Sequence, residues 1–288
     1  MSPSSKTIII TGATSGIGLA LARQLLTQGC NVIGIGRSTE RCQQAQRALS
    51  NVNPHTHLTY LLADLSLQVQ IHKLAGQIKQ QLASWQIAYL DGLVNNAATL
   101  PFHQTITMEG YDTQWAVNYL SGFLLTNLLL PYMDCAPAAR IVSVSSASHY
   151  HTRMHWHDLQ LFHSYNPLRA YKHTKLAQVL FIHELNRHLQ DFPNIKAFAA
   201  DPGLVNTDIG LKGNSSFMDW IWKLRRKGGV SPDRAAEGIA FLLLDMGVRD
   251  SHQIYWRDAH PQTPNPRALN LKDCQRLWQI SSRMVNLT

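Results

Sequence analysis

The 288-residue sequence lacks the long apolar run and the leader that mark membrane-spanning and secreted proteins. No apolar stretch reaches the ~18 residues that a membrane-spanning helix needs, so no such helix is expected. The first residues, MSPSSKTIIITG, contain no basic start followed by an apolar stretch and a cleavage site. We therefore do not expect a secretory signal. These absences predict a cytoplasmic protein and leave association with a membrane surface open.

Cysteine and charged residues are also scarce. The four cysteines, Cys30, Cys42, Cys135 and Cys274, form no CxxC pair, which is typical of free thiols in a reducing cytoplasm. Charged residues make up 15% of the chain and hydrophobic residues 45%, a composition typical of a folded globular protein. The formal net charge is +8, but the longest basic block is RRK at 225–227. Nucleic acid is therefore not an expected partner.

The chain does contain a regular alternation of short apolar runs with longer helical patterns. Runs such as KTIIIT, NVIGIG and ARIVSVSS have the length and composition of buried strands. Continuous apolar strands that alternate with helices are typical of a parallel sheet covered on both faces. We find no repeat, low-complexity tract or linker. The pattern predicts one Rossmann-type, doubly wound α/β domain over residues 1–288, with about seven strands.

A glycine-rich stretch, TGATSGIG, stands between the first predicted strand and the first predicted helix. Glycines at this place let the backbone turn sharply and approach a pyrophosphate, which then lies at the helix N-terminus. We therefore predict a dinucleotide-binding loop, and the alternative is an ordinary turn between strand and helix. The predicted cofactor-binding residues of the loop are Gly12, Thr14, Ser15, Gly16, Ile17 and Gly18.

The second predicted strand ends in a basic residue, Arg37, and no acid follows before Glu40. An NAD-selective site needs a carboxylate here to bind the ribose 2′-hydroxyl, whereas a guanidinium binds a 2′-phosphate. Arg37, with Ser38 and Arg41 beside it, therefore predicts NADP(H) as the cofactor. The alternative is an ordinary surface arginine.

Six stretches occur in an order that resembles the short-chain dehydrogenases/reductases. They are TGATSGIG, NNAA, VNYLSGFLLT, RIVSVSS, YKHTK and DPGLVNT. The interval of 25 residues between Ser146 and Tyr171, together with the C-terminal stretch, is similar to the retinol dehydrogenase and WW-domain-oxidoreductase-like group. Light-dependent protochlorophyllide reductases are also similar. The glycine spacing resembles the compact branch of the family.

The resemblance implies a catalytic set that explains why AYKHTKLA carries a tyrosine and a lysine one helical turn apart. Tyr171 would be the general acid/base. Lys175 and the positive charge of the oxidised nicotinamide would together lower the pKa of Tyr171, and Lys175 would also bind the nicotinamide ribose. Ser146 would hold the substrate oxygen. Asn118 would link Lys175 to a water that relays protons.

The resemblance also implies further cofactor contacts around the adenine and the nicotinamide. Asp64 would face the adenine, and Thr207 would lie near the nicotinamide amide. Three residues depart from the family's usual pattern: Ala98, Ser121 and Asp201. At the position of Asp201, which precedes Pro202, asparagine or histidine is commoner in the family. The full set of these implied contacts is Asp64, Leu65, Asn95, Ala97, Pro202, Gly203, Val205 and Thr207.

Two stretches allow more than one interpretation. Segment 215–229 combines an apolar stripe with basic residues, so a lid over the substrate, plain packing and contact with an anionic membrane are all open. We predict a substrate lid at about 204–228 and a C-terminal extension at about 257–288. A histidine-rich loop lacks clean metal-ligand spacing, so a role in packing or at the pocket rim is favoured over a metal site. Its residues are His149, His151, His155, His157 and His163, with Asp158 nearby.

The sequence therefore predicts an NADP(H)-dependent oxidoreductase that acts on a small carbonyl or alcohol substrate of lipophilic character. One alternative is a non-catalytic NADP(H)-binding sensor or scaffold, which need not keep Tyr171 and Lys175. A second alternative is a tetrapyrrole reductase similar to protochlorophyllide reductase. The oligomeric state, either a homodimer or a homotetramer if the chain self-associates, is open, and no metal is expected.

Overall fold

The computed structural model describes residues 5–205, 229–248 and 251–287. Within these residues a single sheet has the strand order β3-β2-β1-β4-β5-β6-β7-β8. Neighbouring strands pair in parallel from β3 to β7, and only the last pair, β7 with β8, is antiparallel. The strands are β1 (Thr7–Thr11), β2 (Asn31–Gly36), β3 (Leu58–Leu62), β4 (Gly92–Asn95), β5 (Ala139–Val144), β6 (Ile195–Asp201), β7 (Tyr255–Arg257) and β8 (His260–Pro261).

Helices connect the strands and cover both faces of the sheet. A five-residue π-helix, Ala116–Leu120, interrupts the helical run before β5, and short 3₁₀ helices occur at Ala147–His151, Leu189–Asp191, Met246–Val248 and Pro266–Leu269. The α-helices of the described residues are α1 (Gly16–Thr27), α2 (Thr39–Leu49), α3 (Gln68–Ser84), α4 (Thr113–Trp115), α5 (Ser121–Met133), α6 (Pro167–His188), α7 (Pro232–Leu244) and α8 (Leu271–Met284).

The apolar core consists of two layers, one on each face of the sheet. Strand β1 shows the reason, because successive side chains of a strand point to opposite faces. Ile9 packs in the layer that includes α3, α5, α6 and α8, whereas Ile8 and Ile10 pack in the layer that includes α1 and α7. Both layers need apolar side chains, so β1, β2 and β5 are buried along their whole length.

The predicted fold class is confirmed, and the structure adds one strand. β8 was not predicted because it is only two residues long and both residues are exposed. The strand order reverses between β1 and β4. The carboxyl ends of these two strands therefore open into the crevice where doubly wound sheets bind their ligands.

Two expectations about the whole chain can be compared with the structure. All four cysteines lie in the described residues and are free, three of them buried and Cys135 exposed. In the described part of the chain, no helix is both long and apolar enough to cross a membrane. The predicted lid at 204–228 and the segment 215–229 lie almost wholly outside the described residues.

Candidate active site

The glycine loop forms a tight cradle at the carboxyl end of β1. Gly12 and Gly16 have φ angles of +67° and +53°, which side chains other than glycine rarely adopt. At Gly18, a Cβ atom would lie 2.3 Å from the Gly12 carbonyl oxygen and 2.7 Å from Nδ2 of Asn96. Glycine at these positions therefore lets the loop turn tightly and pack against the N-terminus of α1 without a clash.

Asn96 holds this cradle in place, and the sequence analysis did not single it out. Its Nδ2 donates to the Thr11 carbonyl oxygen at 2.8 Å and to that of Gly12 at 3.3 Å. The hydroxyl of Thr11 accepts from the backbone N–H groups of Asn96 and Ala97 at 2.9 and 3.0 Å. The available signal was the second asparagine of the NNAA stretch. These bonds tie the end of β4 to the loop after β1.

The residues predicted to select the cofactor's ribose follow β2 directly. Arg37 is exposed, and Ser38 caps α2 by accepting a hydrogen bond from the backbone N–H of Arg41 at 3.3 Å. The cap starts α2 just after Arg37. The guanidinium therefore stands at the surface, next to a helix N-terminus that favours anions.

Three implied cofactor contacts have their side chains engaged elsewhere. Asp64 accepts from the backbone N–H of Ser66 at 2.9 Å, and Leu65 is buried in the apolar core. Asn95 donates to the hydroxyl of Thr126 at 3.0 Å. A cofactor contact from Leu65 or Asn95 would therefore have to come from the main chain.

The predicted catalytic tyrosine, lysine and serine come together at the start of α6. Asn166 caps this helix through a hydrogen bond from the backbone N–H of Arg169 at 3.0 Å. Lys175 Nζ lies 5.3 Å from the centre of the Tyr171 ring and donates to the Val144 carbonyl oxygen at 2.7 Å. Ser146, two residues beyond Val144, forms a hydrogen bond with Tyr171. The three side chains thus form one site.

Asn118 lies in the π-helix and makes two kinds of contact. Its side chain holds the backbone of Thr99, accepting from the N–H at 2.7 Å and donating to the carbonyl oxygen at 3.0 Å. The backbone carbonyl oxygen of Asn118 accepts from Nε2 of Gln178 at 2.7 Å. Gln178 was not predicted as a functional residue, although a polar residue three positions after Lys175 in an otherwise apolar stretch was a usable signal. Gln178 thus connects the π-helix to helix α6.

Burial shifts the pKa values of both members of the predicted catalytic pair. Burial raises the pKa of Tyr171 to about 12, with the Asp201 carboxylate acting in the same direction and a hydrogen bond with Ser146 acting against both. Burial also lowers the pKa of Lys175 to about 7, while Asp201 acts to raise it. Among the protein's own groups, the loss of water is the largest influence on both pKa values. The lowering of the Tyr171 pKa by Lys175 together with the oxidised nicotinamide stays a prediction.

Asp201, one of the departures from the family's pattern, is buried at the end of β6. It accepts hydrogen bonds from the Tyr255 hydroxyl at 3.0 Å and from the backbone N–H of Gly203 at 2.9 Å. Its charge acts on both members of the catalytic pair. Asp201 is therefore part of the electrostatic environment of the site, and it also shapes the turn through Pro202.

Lys175 makes the stability of the protein depend on pH in a predictable direction. Its pKa is about 7 in the folded chain and about 10.4 when unfolded. Between these values the unfolded chain binds more protons, so the free energy of unfolding rises with pH. Between pH 7 and pH 9, we expect the free energy of unfolding of the wild type to rise by up to roughly 2 kcal/mol more than that of Lys175→Met. Urea unfolding at several pH values without added cofactor measures this difference. The same change of unfolding free energy with pH in both proteins would contradict the prediction.

The histidine-rich loop divides into separate structural roles. His149 is buried, and its Nδ1 donates to the Ser146 carbonyl oxygen at 2.8 Å while its Nε2 accepts from the backbone N–H of Asn265 at 3.0 Å. His163 pairs with Asp158 at 3.3 Å, and the rings of His155 and His173 lie 5.5 Å apart. Within the described ranges, no three histidine, cysteine or acidic side chains are grouped to hold a metal ion.

The His149–Asn265 contact connects the C-terminal stretch to the turn at Ser146, the predicted catalytic serine. The side chain of Asn265 also donates to the His149 carbonyl oxygen at 2.8 Å. The hydroxyl of Tyr150 donates to the backbone carbonyl oxygen of Thr263 at 2.5 Å. Residues around 263–265 therefore support the turn that begins at Ser146. Sequence spacing alone could not show this, since the partners are more than 110 residues apart.

The remaining predicted contacts follow β6. Pro202 and Gly203 form the turn, with Gly203 at φ +74°. Val205 forms an isolated parallel bridge with Val230. Thr207 lies outside the described residues.

Comparisons with known proteins identify the family. A family model described as short chain dehydrogenase matches residues 6–216. Retinol dehydrogenase 11 of Homo sapiens is 31% identical over 282 residues, which cover 98% of this chain and 86% of the relative. Polyprenol dehydrogenase of Homo sapiens is 34% identical over 298 residues, which cover 97% of this chain and 84% of the relative.

Solved structures show the same fold. An uncharacterized protein of Mycobacterium paratuberculosis has a TM-score of 0.71 and 26% identity, over 98% of this chain and 93% of that one. A short-chain dehydrogenase of Streptomyces avermitilis has a TM-score of 0.65 and 22% identity, over 99% of this chain and 98% of that one. With its glycine cradle and its clustered tyrosine, lysine and serine, the chain belongs to the short-chain dehydrogenase family of oxidoreductases and is similar to the retinol dehydrogenases.

Proposed function

We propose that the protein is an NADP(H)-dependent oxidoreductase that interconverts a carbonyl and an alcohol, with Tyr171 as the general acid/base. The observation that carries this proposal is the arrangement at the start of α6. Lys175 lies 5.3 Å from the Tyr171 ring, and Ser146 is hydrogen-bonded to Tyr171. A tyrosine held by a serine and flanked by a lysine can transfer a proton to or from a substrate oxygen.

The residues of the crevice fit a nicotinamide cofactor, which members of this family bind. A Cβ atom at Gly18 would collide with the Gly12 carbonyl oxygen, so glycine there lets α1 pack tightly against the loop, and the N-terminus of α1 can take a pyrophosphate. Arg37 would bind the 2′-phosphate, and Lys175 would bind the nicotinamide ribose. When bound, the cofactor supplies or accepts the hydride.

The protein's own groups favour the protonated form of Tyr171 at neutral pH, because burial and Asp201 hold its pKa at about 12. Tyr171 can therefore donate its proton to a carbonyl oxygen during reduction. Ser146 orients that oxygen, and Lys175 stabilises the charge that forms on the tyrosine. In the oxidation direction, Tyr171 takes the proton of the alcohol.

The substrate class is proposed from the relatives. Retinol dehydrogenase 11 and polyprenol dehydrogenase are at least 31% identical to this chain, and their names specify apolar alcohols. A lipophilic carbonyl or alcohol fits a site whose lid would be the segment at about 204–228. Contact of residues 215–229 with an anionic membrane surface would suit such a substrate.

The cofactor proposal is tested by fluorescence titration of the purified protein with NADPH and NADH. We expect tighter binding of NADPH and a loss of roughly tenfold or more for Arg37→Ala, because a charged hydrogen bond to a phosphate contributes about 1.5–3 kcal/mol. NADH binding should change little. Arg47→Ala, an exposed arginine near the end of the same helix α2, is the matched control. A preference for NADH in the wild type would contradict the role of Arg37.

The enzymatic proposal is tested with a panel of aldehydes, ketones and retinoids. Consumption of NADPH with one carbonyl class would support it. Tight NADPH binding without turnover on any compound would favour the alternative, a cofactor-binding sensor or scaffold.

A further inference from the structure

An open pocket of about 760 Å³ is lined by segments that follow Ser146 and precede and follow Tyr171 in the sequence. One wall follows Ser146 and comprises residues of the stretch 150–155, and a second wall is the start of helix α6. Lys172, which lines the pocket, is the residue after Tyr171. Arg267, from the 3₁₀ helix Pro266–Leu269, completes the lining. The volume lies within the range of about 300–1,000 Å³ that is usual for small-molecule sites.

The charges around this pocket all have one sign, so we call it the basic pocket. Its charged lining residues are Arg153, Arg169, Lys172 and Arg267, together with His151 and His155, and among the described residues no aspartate or glutamate contributes to the lining. Four cations that converge without an acid create a positive potential that attracts anions.

Some surface arginines of this protein are neutralised by an ion pair. Arg23, Arg187 and Arg234 each pair with a carboxylate. None of the pocket's four cations forms an ion pair with any residue that the structure describes. The guanidinium of Arg169 donates to the hydroxyl of Ser164, at 3.2 Å. Within the part of the chain that the structure describes, no carboxylate pairs with the cations of the pocket.

The positive charge of the pocket affects the pKa of His155, which also lines it. The pKa of His155 is lowered by burial, then by Arg169 and by Arg153, with only Asp158 acting in the opposite direction. Asp158 itself is held by the backbone N–H groups of Phe162 and His163. Both guanidiniums line the pocket beside His155, and a guanidinium can bind a carboxylate or phosphate through paired hydrogen bonds.

We propose that the basic pocket binds a carboxylate or phosphate group of the substrate, so that the substrate is an apolar carbonyl or alcohol compound with one anionic end. This inference rests on the proposed function, because the segments that form the pocket are those that carry Ser146 and Tyr171. The pocket is separate from the cofactor's predicted phosphate contact, since Arg37 follows β2 and does not line it. The apolar part of the substrate would extend from the pocket toward the catalytic tyrosine.

The test compares aldehydes that differ only in charge. A series of ω-oxo fatty acids of increasing chain length is assayed with NADPH against the methyl esters of the same compounds. We expect kcat/KM to favour the acid over its ester by roughly ten- to hundredfold at one chain length, as a charged hydrogen bond provides. The preference should fall as ionic strength rises.

The variants assign that preference to the basic pocket. Arg153→Gln/Arg169→Gln should reduce the ratio of acid to ester to near unity. The matched control is Arg47→Gln/Arg283→Gln, which removes two exposed arginines outside the pocket and should keep the ratio. Equal kcat/KM for acid and ester in the wild type, or an unchanged preference in the pocket variant, would overturn the proposal.

Two further measurements separate this proposal from the proposed function. If no aldehyde is reduced, the proposed function fails, and calorimetry with dodecanedioate still tests the pocket. The wild type should bind this dianion at least roughly tenfold more tightly than the pocket variant, and no binding would overturn the inference. Binding to phosphatidylserine vesicles that depends on Arg153 and Arg169, without any preference for acids, would assign the anion to a lipid headgroup and overturn it too.

Discussion

Tyr171→Phe is expected to lower kcat by roughly 10²- to 10⁴-fold, because it removes the proposed proton donor while keeping the aromatic ring. The ring keeps its place under Lys175, whose Nζ lies 5.3 Å from its centre. Binding of NADPH should therefore stay nearly intact. Steady-state rates with an accepted carbonyl substrate and a fluorescence titration with NADPH measure the two effects separately.

A matched control distinguishes a lost proton donor from a lost hydrogen bond. Tyr111 is partly buried and donates its hydroxyl to the Met284 carbonyl oxygen at 2.7 Å, outside the active site. Tyr111→Phe should cost about 1 kcal/mol of stability and leave kcat near that of the wild type. Full activity in Tyr171→Phe would show that another group transfers the proton.

Gly18→Ala should weaken NADPH binding by roughly 10- to 100-fold. The new methyl group would stand 2.3 Å from the Gly12 carbonyl oxygen, so the glycine loop or Asn96 must move, and such overpacking typically costs about 1–3 kcal/mol. The part of this cost that is paid when the displaced loop returns to its place around the pyrophosphate weakens binding, and every 1.4 kcal/mol of it corresponds to about a tenfold loss of affinity. Relative to the wild type, the dissociation constant of NADPH should therefore rise and the melting temperature should drop.

Gly76→Ala is the control for this substitution. Gly76 lies in helix α3, and a Cβ atom added there meets nothing within 4 Å. Alanine is favoured over glycine inside a helix by about 0.5–1 kcal/mol, so this variant should melt slightly higher and bind NADPH unchanged. If Gly18→Ala bound NADPH as tightly as Gly76→Ala does, the pyrophosphate would not lie on this cradle.

The strand pattern of this protein could be predicted because buried parallel strands need apolar side chains on both faces. β2 was predicted with its observed bounds, Asn31–Gly36, and the other predicted strands overlap those of the structure. β8 escaped prediction because a two-residue exposed strand has no apolar pattern. Such a strand exists only because the end of the sheet at β7 offers it backbone partners.

The local parts of the active site could be predicted for a similar reason. Tyr171 and Lys175 are one helical turn apart, so their proximity follows from the helix alone. The glycine loop likewise needs only its neighbours in sequence. These features, and with them the family, were determined by the sequence.

The tertiary structure decided the contacts between distant segments and the charges of the site. Asn96 braces the glycine loop across 85 residues, and Asn265 holds His149 across 116. Burial sets the pKa of Lys175 near 7 and that of Tyr171 near 12, because the fold removes water from both side chains and brings Asp201 close. No pattern along the chain carries this information, since solvation depends on which segments pack around a residue, and packing is a property of the whole fold.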